Sequence, residues 1–314
     1  MKILLFGKNG QVGWELQRAL APLGELIALD RHSQLGAEQP HGHTAILCGD
    51  LSNIDAIRAT IATVKPDIVI NAAAYTAVDK AESAAQDADM INHLAVKAMT
   101  EACQQISALL VHYSTDYVFD GQGTQPRRED DSTDPLNIYG KTKRAGELAI
   151  LASGCNALIF RTSWVYATRG NNFIKTMLRL AYEREELNII NDQIGAPTSA
   201  ALIADVTAHA LKTYANAQAP AQLSGIYHLT AAGSVSWYDY AQFIFKQASY
   251  LGYALKIRQV NPIDTSAYPT PAQRPLNSRL SLSKLEQQFG LTLPHWQQGV
   301  LHTLQEIIEG KTEK

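Results

Sequence analysis

Cysteine is scarce in this chain: Cys48, Cys103 and Cys155 are the only three in 314 residues. They give no C-x-x-C pair and no even framework for disulfides, so a reducing cytoplasm fits best. Long apolar runs are missing too, and none approaches the roughly 18 residues of a membrane span. The opening M-K-I-L-L-F-G-K has too short an apolar stretch for a signal peptide and no small-residue cleavage site. Nor is positive charge in excess. Lys and Arg number 27 against 30 Asp and Glu, a net −3 that offers no global attraction to nucleic acid or an anionic membrane. No repeat or low-complexity segment is evident. His41 and His43 lie in a polar Gly/Pro-containing loop without an acidic or Cys partner beside them, so a solvated loop is expected there, not a metal site.

What the chain does have is a hydrophobic content of 46% with 18% charge, ordinary for a globular protein of one large or two modest domains. Apolar β-type runs alternate with amphipathic helical stretches through the first half. Strands are expected at Lys2–Phe6, Glu25–Leu29, Thr44–Cys48, Asp67–Asn71, Leu109–Tyr113 and Ala157–Arg161, with helices at Val12–Leu20, Asn53–Val64, Ala85–Gln105 and Ile138–Ala152. Runs such as I-V-I and L-L-V are apolar on both faces, which implies a parallel sheet covered on both sides. The fold class is therefore α/β, a Rossmann-type doubly wound sheet. Beyond Arg161 the alternation fades. Asn188–Thr198 and Ala254–Leu280, rich in Pro, Asn and Gln, suggest loops and short elements around a cleft. The expected division is a dinucleotide-binding domain over 1–164 and a smaller, mainly substrate-binding domain over 165–314. The two interleave, because 225–230 reads as a strand returning to the main sheet.

Directly after the first strand comes F-G-K-N-G-Q-V-G, with Gly7, Gly10 and Gly13. Glycine permits the sharp turn and lets backbone N–H groups approach a pyrophosphate over the helix N-terminus, and Gly13 would let the helix pack closely on the strand. The spacing is G-x-x-G-x-x-G, with Asn9 where many dehydrogenases carry a second glycine. Asp30, ending the second strand, can accept hydrogen bonds from an adenosine ribose and favours NAD. Arg31 beside it can pair with a 2′-phosphate and favours NADP, or is a plain loop charge.

Further motifs accumulate: G-D-L at 49–51, N-A-A-A at 71–74, Y-S-T-D-Y-V-F-D-G at 113–121 and Y-G-K-T-K at 139–143. Together they resemble the extended short-chain dehydrogenase/reductases that act on nucleotide-sugars. R-T-S-W-V-Y (161–166), N-N-F (171–173), N-D-Q-I-G-A-P-T (191–198), W-Y-D-Y (237–240) and A-Y-P-T-P-A-Q-R-P-x-N-S-R-L (267–280) are similar to the branch of dTDP-4-dehydrorhamnose reductases. The likeness spans nearly the whole chain. It departs chiefly in a longer segment around Gln34–His43, which would alter contacts near the adenosine.

The resemblance implies a catalytic set of Thr115, Tyr139 and Lys143. A ketone receiving hydride needs a proton at its oxygen, which a phenol can deliver. An ammonium one helical turn away is expected to lower the phenol pKa, and Lys143 would also hold the nicotinamide ribose. Thr115 would orient the carbonyl. Cofactor contacts implied are Gly7, Gly10, Gln11, Val12, Gly13, Asp30, Arg31, Asp50, Leu51, Ala72, Ala73, Ala74, Tyr113, Tyr139 and Lys143. Substrate contacts implied are Thr115, Asp116, Trp164, Asn172, Gln193 and Arg274. Each has a rival reading: Asp50 as a helix cap, Ala72–Ala74 as tight packing, Tyr113 as the end of a strand, Trp164 as core, Arg274 as a surface ion pair. Asn92 resembles the asparagine of a proton relay, and reads equally well as a helix N-cap. The implied activity is NADPH- or NADH-dependent reduction of the C4 ketone of a dTDP-sugar, dTDP-4-dehydro-L-rhamnose, for cell-surface polysaccharide such as lipopolysaccharide O-antigen. Magnesium is linked to some members, although no compact carboxylate cluster specifies a site. A homodimer is left open. The rivals are an epimerase or epimerase/reductase on another nucleotide-sugar, and a non-catalytic nucleotide-sensing subunit.

Overall fold

The computed structural model describes residues 1–33, 35–38 and 44–312. Its first half runs β1 (Lys2–Phe6), α1 (Gln11–Leu20), β2 (Glu25–Leu29), β3 (Leu35–Glu38), β4 (Thr44–Leu47), α2 (Ile54–Val64), β5 (Ile68–Asn71), α3 (Val78–Ala81), α4 (Ala85–Asp89), α5 (Ala95–Gln105), β6 (Leu109–Thr115), α6 (Ile138–Ser153) and β7 (Ala157–Thr162). The second half adds β8 (Val165–Tyr166), α7 (Phe173–Glu183), β9 (Glu186–Ile190), β10 (Ile194–Gly195), β11 (Thr198–Ser199), α8 (Ala200–Asn216), β12 (Gly225–His228), β13 (Val235–Ser236), α9 (Trp237–Tyr250), β14 (Gln259–Ile263), α10 (Ser283–Phe289) and α11 (Trp296–Thr312).

Six parallel strands form the central sheet in the order β12-β7-β6-β5-β1-β2. Successive side chains alternate between its faces, and both faces are dry. Ile3, Leu5, Ile70 and Val111 pack under α1, α8 and α10, against Leu16, Ile203 and Phe289. Leu4, Phe6, Val69 and Leu110 pack under α2, α5 and α6, against Ile61, Met99 and Ile150. Each such side chain contributes roughly 1.5–3 kcal/mol relative to exposure. A third core gathers Tyr166, Ile174, Leu178, Tyr240, Ile244, Trp296 and Leu304, from β8, α7, α9 and α11.

Two expectations are corrected. Thr44–Leu47 is a strand but not a member of the sheet; it pairs antiparallel with Leu35–Glu38 as a separate hairpin. The helix expected over Ala85–Gln105 is interrupted by a π-turn at Met90–Leu94. That wider turn points Asn92 inward, where its side chain satisfies both backbone groups of Tyr75 (2.9 and 3.1 Å) and donates to Thr142 Oγ1 (3.2 Å). Asn92 is thus no N-cap. The longer segment near the adenosine falls mostly on residues 34 and 39–43, which with His41 and His43 lie outside the described residues.

Candidate active site

The sheet order reverses between β1 and β5, and a cleft of about 570 Å³ opens at the carboxyl ends of the strands there. Open α/β sheets bind ligands at such a switch point, because the connections leave in opposite directions and part the loops. Gly7, Gly10, Gln11, Val12, Asp30, Arg31, Asp50, Leu51, Ala72, Ala73, Ala74, Tyr113, Tyr139 and Lys143 all line it. Gly13 does not. A Cβ on it would sit 2.0 Å from the Gly7 carbonyl oxygen, so its smallness serves the packing of α1 on the turn. Gly7 has φ +90°, and a Cβ there would meet Ala73 N at 2.7 Å. Gly10 caps α1 without a side-chain hydrogen bond, leaving the first N–H groups to face the cleft.

Asp30 is well engaged. Its carboxylate accepts from Asn9 Nδ2, His32 N (2.9 Å) and Ser33 Oγ (3.0 Å), with Lys8 4.0 Å away. Burial alone would raise its pKa, but Ser33, His32 and Lys8 hold it below the usual carboxylate value. Arg31 is exposed on the same wall. Asp50 accepts from Ser52 N (3.0 Å) while Asn53 caps α2, so the helix-cap reading of Asp50 fails.

Around the catalytic candidates, α6 begins at Asn137, whose Oδ1 accepts from Gly140 N (2.8 Å) and whose Nδ2 donates to Gln273 O (2.7 Å). That cap sets Tyr139 and Lys143 on the face turned to β6. Thr115, at the end of β6, lies beside Tyr139 and favours its phenolate. Lys143 is 1% exposed; its Nζ donates to Tyr113 O (2.6 Å) and meets His112 Nε2 at 3.3 Å. The expected depression of the tyrosine is not found. Burial pushes Tyr139 up to about 12, relieved by Thr115 and reinforced by Asp116. Burial likewise pushes Lys143 down to about 8, with Glu147 pulling the other way. Glu147 itself is held by Arg161 at 2.8 and 2.9 Å.

Tyr113 lines the cleft, but its hydroxyl is tied to Thr207 on α8 at 2.8 Å and burial raises its pKa. Asp116 is buried beside Thr115, its Oδ1 accepting from Thr115 Oγ1 (3.2 Å). Burial pushes its pKa up to about 7, against the opposing pull of nearby Ser278 and Thr115. Trp164 has φ +49° and stacks on Trp237, centroids 3.5 Å apart. Gln193 donates to Thr265 Oγ1 (3.1 Å) and accepts from Trp237 Nε1 (3.2 Å), so both halves of its amide are engaged. Asn172 caps α7 and donates to Gln11 Oε1 (3.1 Å). Arg274 pairs with Asp79 at 2.7 Å, as its rival reading had it, and lies close to Tyr117. Tyr117 lies edge-on to Tyr139, centroids 5.6 Å apart. Thr115 and Asp116 thus neighbour Tyr139, with Arg274 one ring away, but of the six substrate candidates none lines the cleft itself.

Sequence reasoning missed Asn9, His32, Gly49, Thr76, Ile91, Ser114, Thr162, Val165 and Gly170 on the cleft. Asn9 carried a signal as the residue filling a glycine position, and Gly49, Ser114, Thr162 and Val165 lie within the quoted motifs without having been singled out. Ser114 Oγ and Thr162 Oγ1 are buried on this wall and find no partner among the described residues. Unpaired buried hydroxyls are costly and suit a site whose ligand completes them. Such hydroxyls and the open glycine turn fit a dinucleotide. No group of three or more His, Cys, Asp or Glu able to hold a metal occurs among the described residues.

The position of the cleft and its glycine turn define a Rossmann-type α/β dinucleotide-binding protein. A family model described as the RmlD substrate binding domain matches residues 1–309. The dTDP-4-dehydrorhamnose reductase of Escherichia coli K12 is 54% identical over 307 residues, 98% of each chain. Two crystal structures superpose with TM-scores of 0.84: a Clostridium acetobutylicum dTDP-4-dehydrorhamnose reductase (36% identical, 99% of this chain and 100% of that one) and a Bacillus anthracis dTDP-4-dehydrorhamnose reductase in complex with NADP (34%, 98% and 100%). The chain belongs to this family, the dTDP-4-dehydrorhamnose reductases. Among the described residues no helix is long and apolar enough to cross a membrane.

Proposed function

We propose that the chain reduces the C4 ketone of dTDP-4-dehydro-L-rhamnose to dTDP-L-rhamnose, using NADPH or NADH. The observation that supports this is a cleft lined by Tyr139 and Lys143, with Thr115 beside Tyr139, in a chain alike from end to end to reductases of that name. When bound, the nicotinamide coenzyme supplies the hydride. The remaining work falls to side chains. Thr115 orients the ketone oxygen beside Tyr139. The phenol, kept protonated by burial, delivers its proton to the oxygen as negative charge develops there. Lys143, one helical turn on, offers the N–H not used by Tyr113 O to the ribose or the phenolate. Asp116 and Arg274 reach the sugar nucleotide, Arg274 by exchanging part of its Asp79 contact for a diphosphate. Arg31 reads a 2′-phosphate where Asp30 is already occupied by its neighbours.

The test is initial rates of NADPH and NADH oxidation with dTDP-4-dehydro-L-rhamnose against other keto-sugar nucleotides. Stoichiometric oxidation with the rhamnose precursor is expected. Isotope exchange without net oxidation would indicate an epimerase, and cofactor binding without turnover a sensor; either would overturn the reading.

A further inference from the structure

His112 lies in the middle of β6, wholly buried, and no step of the proposed reduction uses it. Its ring bridges two groups: Nδ1 is 3.2 Å from Asn71 Nδ2 and Nε2 is 3.3 Å from Lys143 Nζ. Burial, then the nearby lysine, holds its pKa well below the usual histidine value, so the ring is neutral and has one N–H and one lone pair. Which nitrogen carries the proton follows from the backbone. Ala73 N–H can only donate, and it faces the Asn71 side chain at 3.2 Å. The Asn71 atom it meets must be oxygen, which turns the NH₂ towards His112. Nδ1 must then accept, and the ring proton resides on Nε2, pointing at Lys143.

We propose that Asn71 and His112 are positioning residues that present a ring N–H to Lys143 and thereby bias it towards the neutral amine in the free cleft. An ammonium facing Nε2–H would set donor against donor. A neutral amine instead accepts from Nε2–H with its lone pair and still donates to Tyr113 O. The other groups around Lys143 are Tyr139 and Glu147 on its own helix, Tyr113 on β6, and Arg161 on β7, which occupies Glu147. The ring tautomer stands independently of the proposed reduction; only its consequence for catalysis rests on that reading.

Two measurements on the free protein test this. NMR of the [15N]histidine-labelled chain, with His112 identified by its absence in His112→Gln, reads the tautomer directly. Protonated Nε2 and bare Nδ1 are expected; protonated Nδ1, or an imidazolium, overturns the proposal. In Asn71→Asp one oxygen still accepts from Ala73 N–H while the other now accepts from Nδ1–H. The ring should switch tautomer, and the Lys143 midpoint, followed by [13C]lysine NMR, should rise by about one pH unit. An unmoved midpoint after the switch, or a raised midpoint without it (plain Coulomb attraction), overturns the coupling. If Asn71→Asp fails to fold, the wild-type tautomer alone decides. A protein with the expected tautomer that oxidises no NADPH would refute the proposed reaction and leave this inference standing.

Discussion

Tyr139 and Lys143 lie one turn apart on α6, and burial drives both towards their neutral forms, the phenol up to about 12 and the amine down to about 8. For reduction this suits the tyrosine, which must begin as a donor. Replacing Tyr139 by Phe should lower kcat by about 10²–10⁴-fold, the usual share of a positioned acid. NADPH affinity, measured by fluorescence titration, should hardly change. Trimming Arg31 to Ala should weaken NADPH about tenfold and NADH little, since only the former offers a 2′-phosphate to a guanidinium. Equal losses for both cofactors would show that Arg31 does not read that group. Asp116 makes a pH-dependent prediction. Its folded pKa, about 7, lies above the reference 3.8, so the folded state holds the proton more tightly. The stability this confers is fully present below about pH 4 and lost as pH rises through 7. Asp116→Asn removes that loss, and its advantage over wild type should grow from pH 4 to pH 8 by up to roughly 4 kcal/mol. Urea melts of both proteins across that range check it, and Lys143, titrating in both, cancels from the difference.

Helix α6 brings the substrate segment and the chemistry into one element. Asn137→Ala deletes its cap and the tie to Gln273 O together. About 1 kcal/mol of stability should be lost, visible as a lower Tm, and KM for the keto-sugar should rise while NADPH affinity changes less. The elements were unequally legible in the sequence. Strands such as Ile68–Asn71 announce themselves because a residue run covered on both faces must be apolar throughout. Thr44–Leu47 has the same look, but pairing partners are a tertiary property, and nothing local separates a sheet strand from one arm of a hairpin. The π-turn was hidden for a related reason: residues 85–105 keep a helical pattern on both sides of one inserted position. The glycine turn, Tyr139 and Lys143 could be located from spacing and likeness. The orphan hydroxyls of Ser114 and Thr162 could not, since serine and threonine at strand ends are common and only the three-dimensional cleft reveals them as unpartnered. Spacing also misjudged the electrostatics of the Tyr/Lys pair, because it contains no information on desolvation.

At the level of the whole molecule, the cofactor cleft is walled by both halves of the chain, with Gly7 and Asp30 on one side and Val165 and Gly170 on the other. A ligand seated there should lock the halves together. NADPH at about 100 times its Kd should therefore raise unfolding free energy by about 2.7 kcal/mol. Denaturant melts with and without cofactor measure this, and at the same NADPH concentration Asn172→Ala, which has lost the Gln11–Asn172 hydrogen bond, should gain less through weaker binding.

The rim of the central sheet is contributed by β12, which arrives more than sixty residues after the strand it lies beside. While the chain emerges from a ribosome, β7 must wait with its outer row of amides unpaired until Gly225–His228 has been made. Such a bare margin is adhesive towards other polypeptides. Synthesis halted between the two would thus release a fragment prone to clump, and the late strand acts as the seal on a sheet whose other five members are already in place.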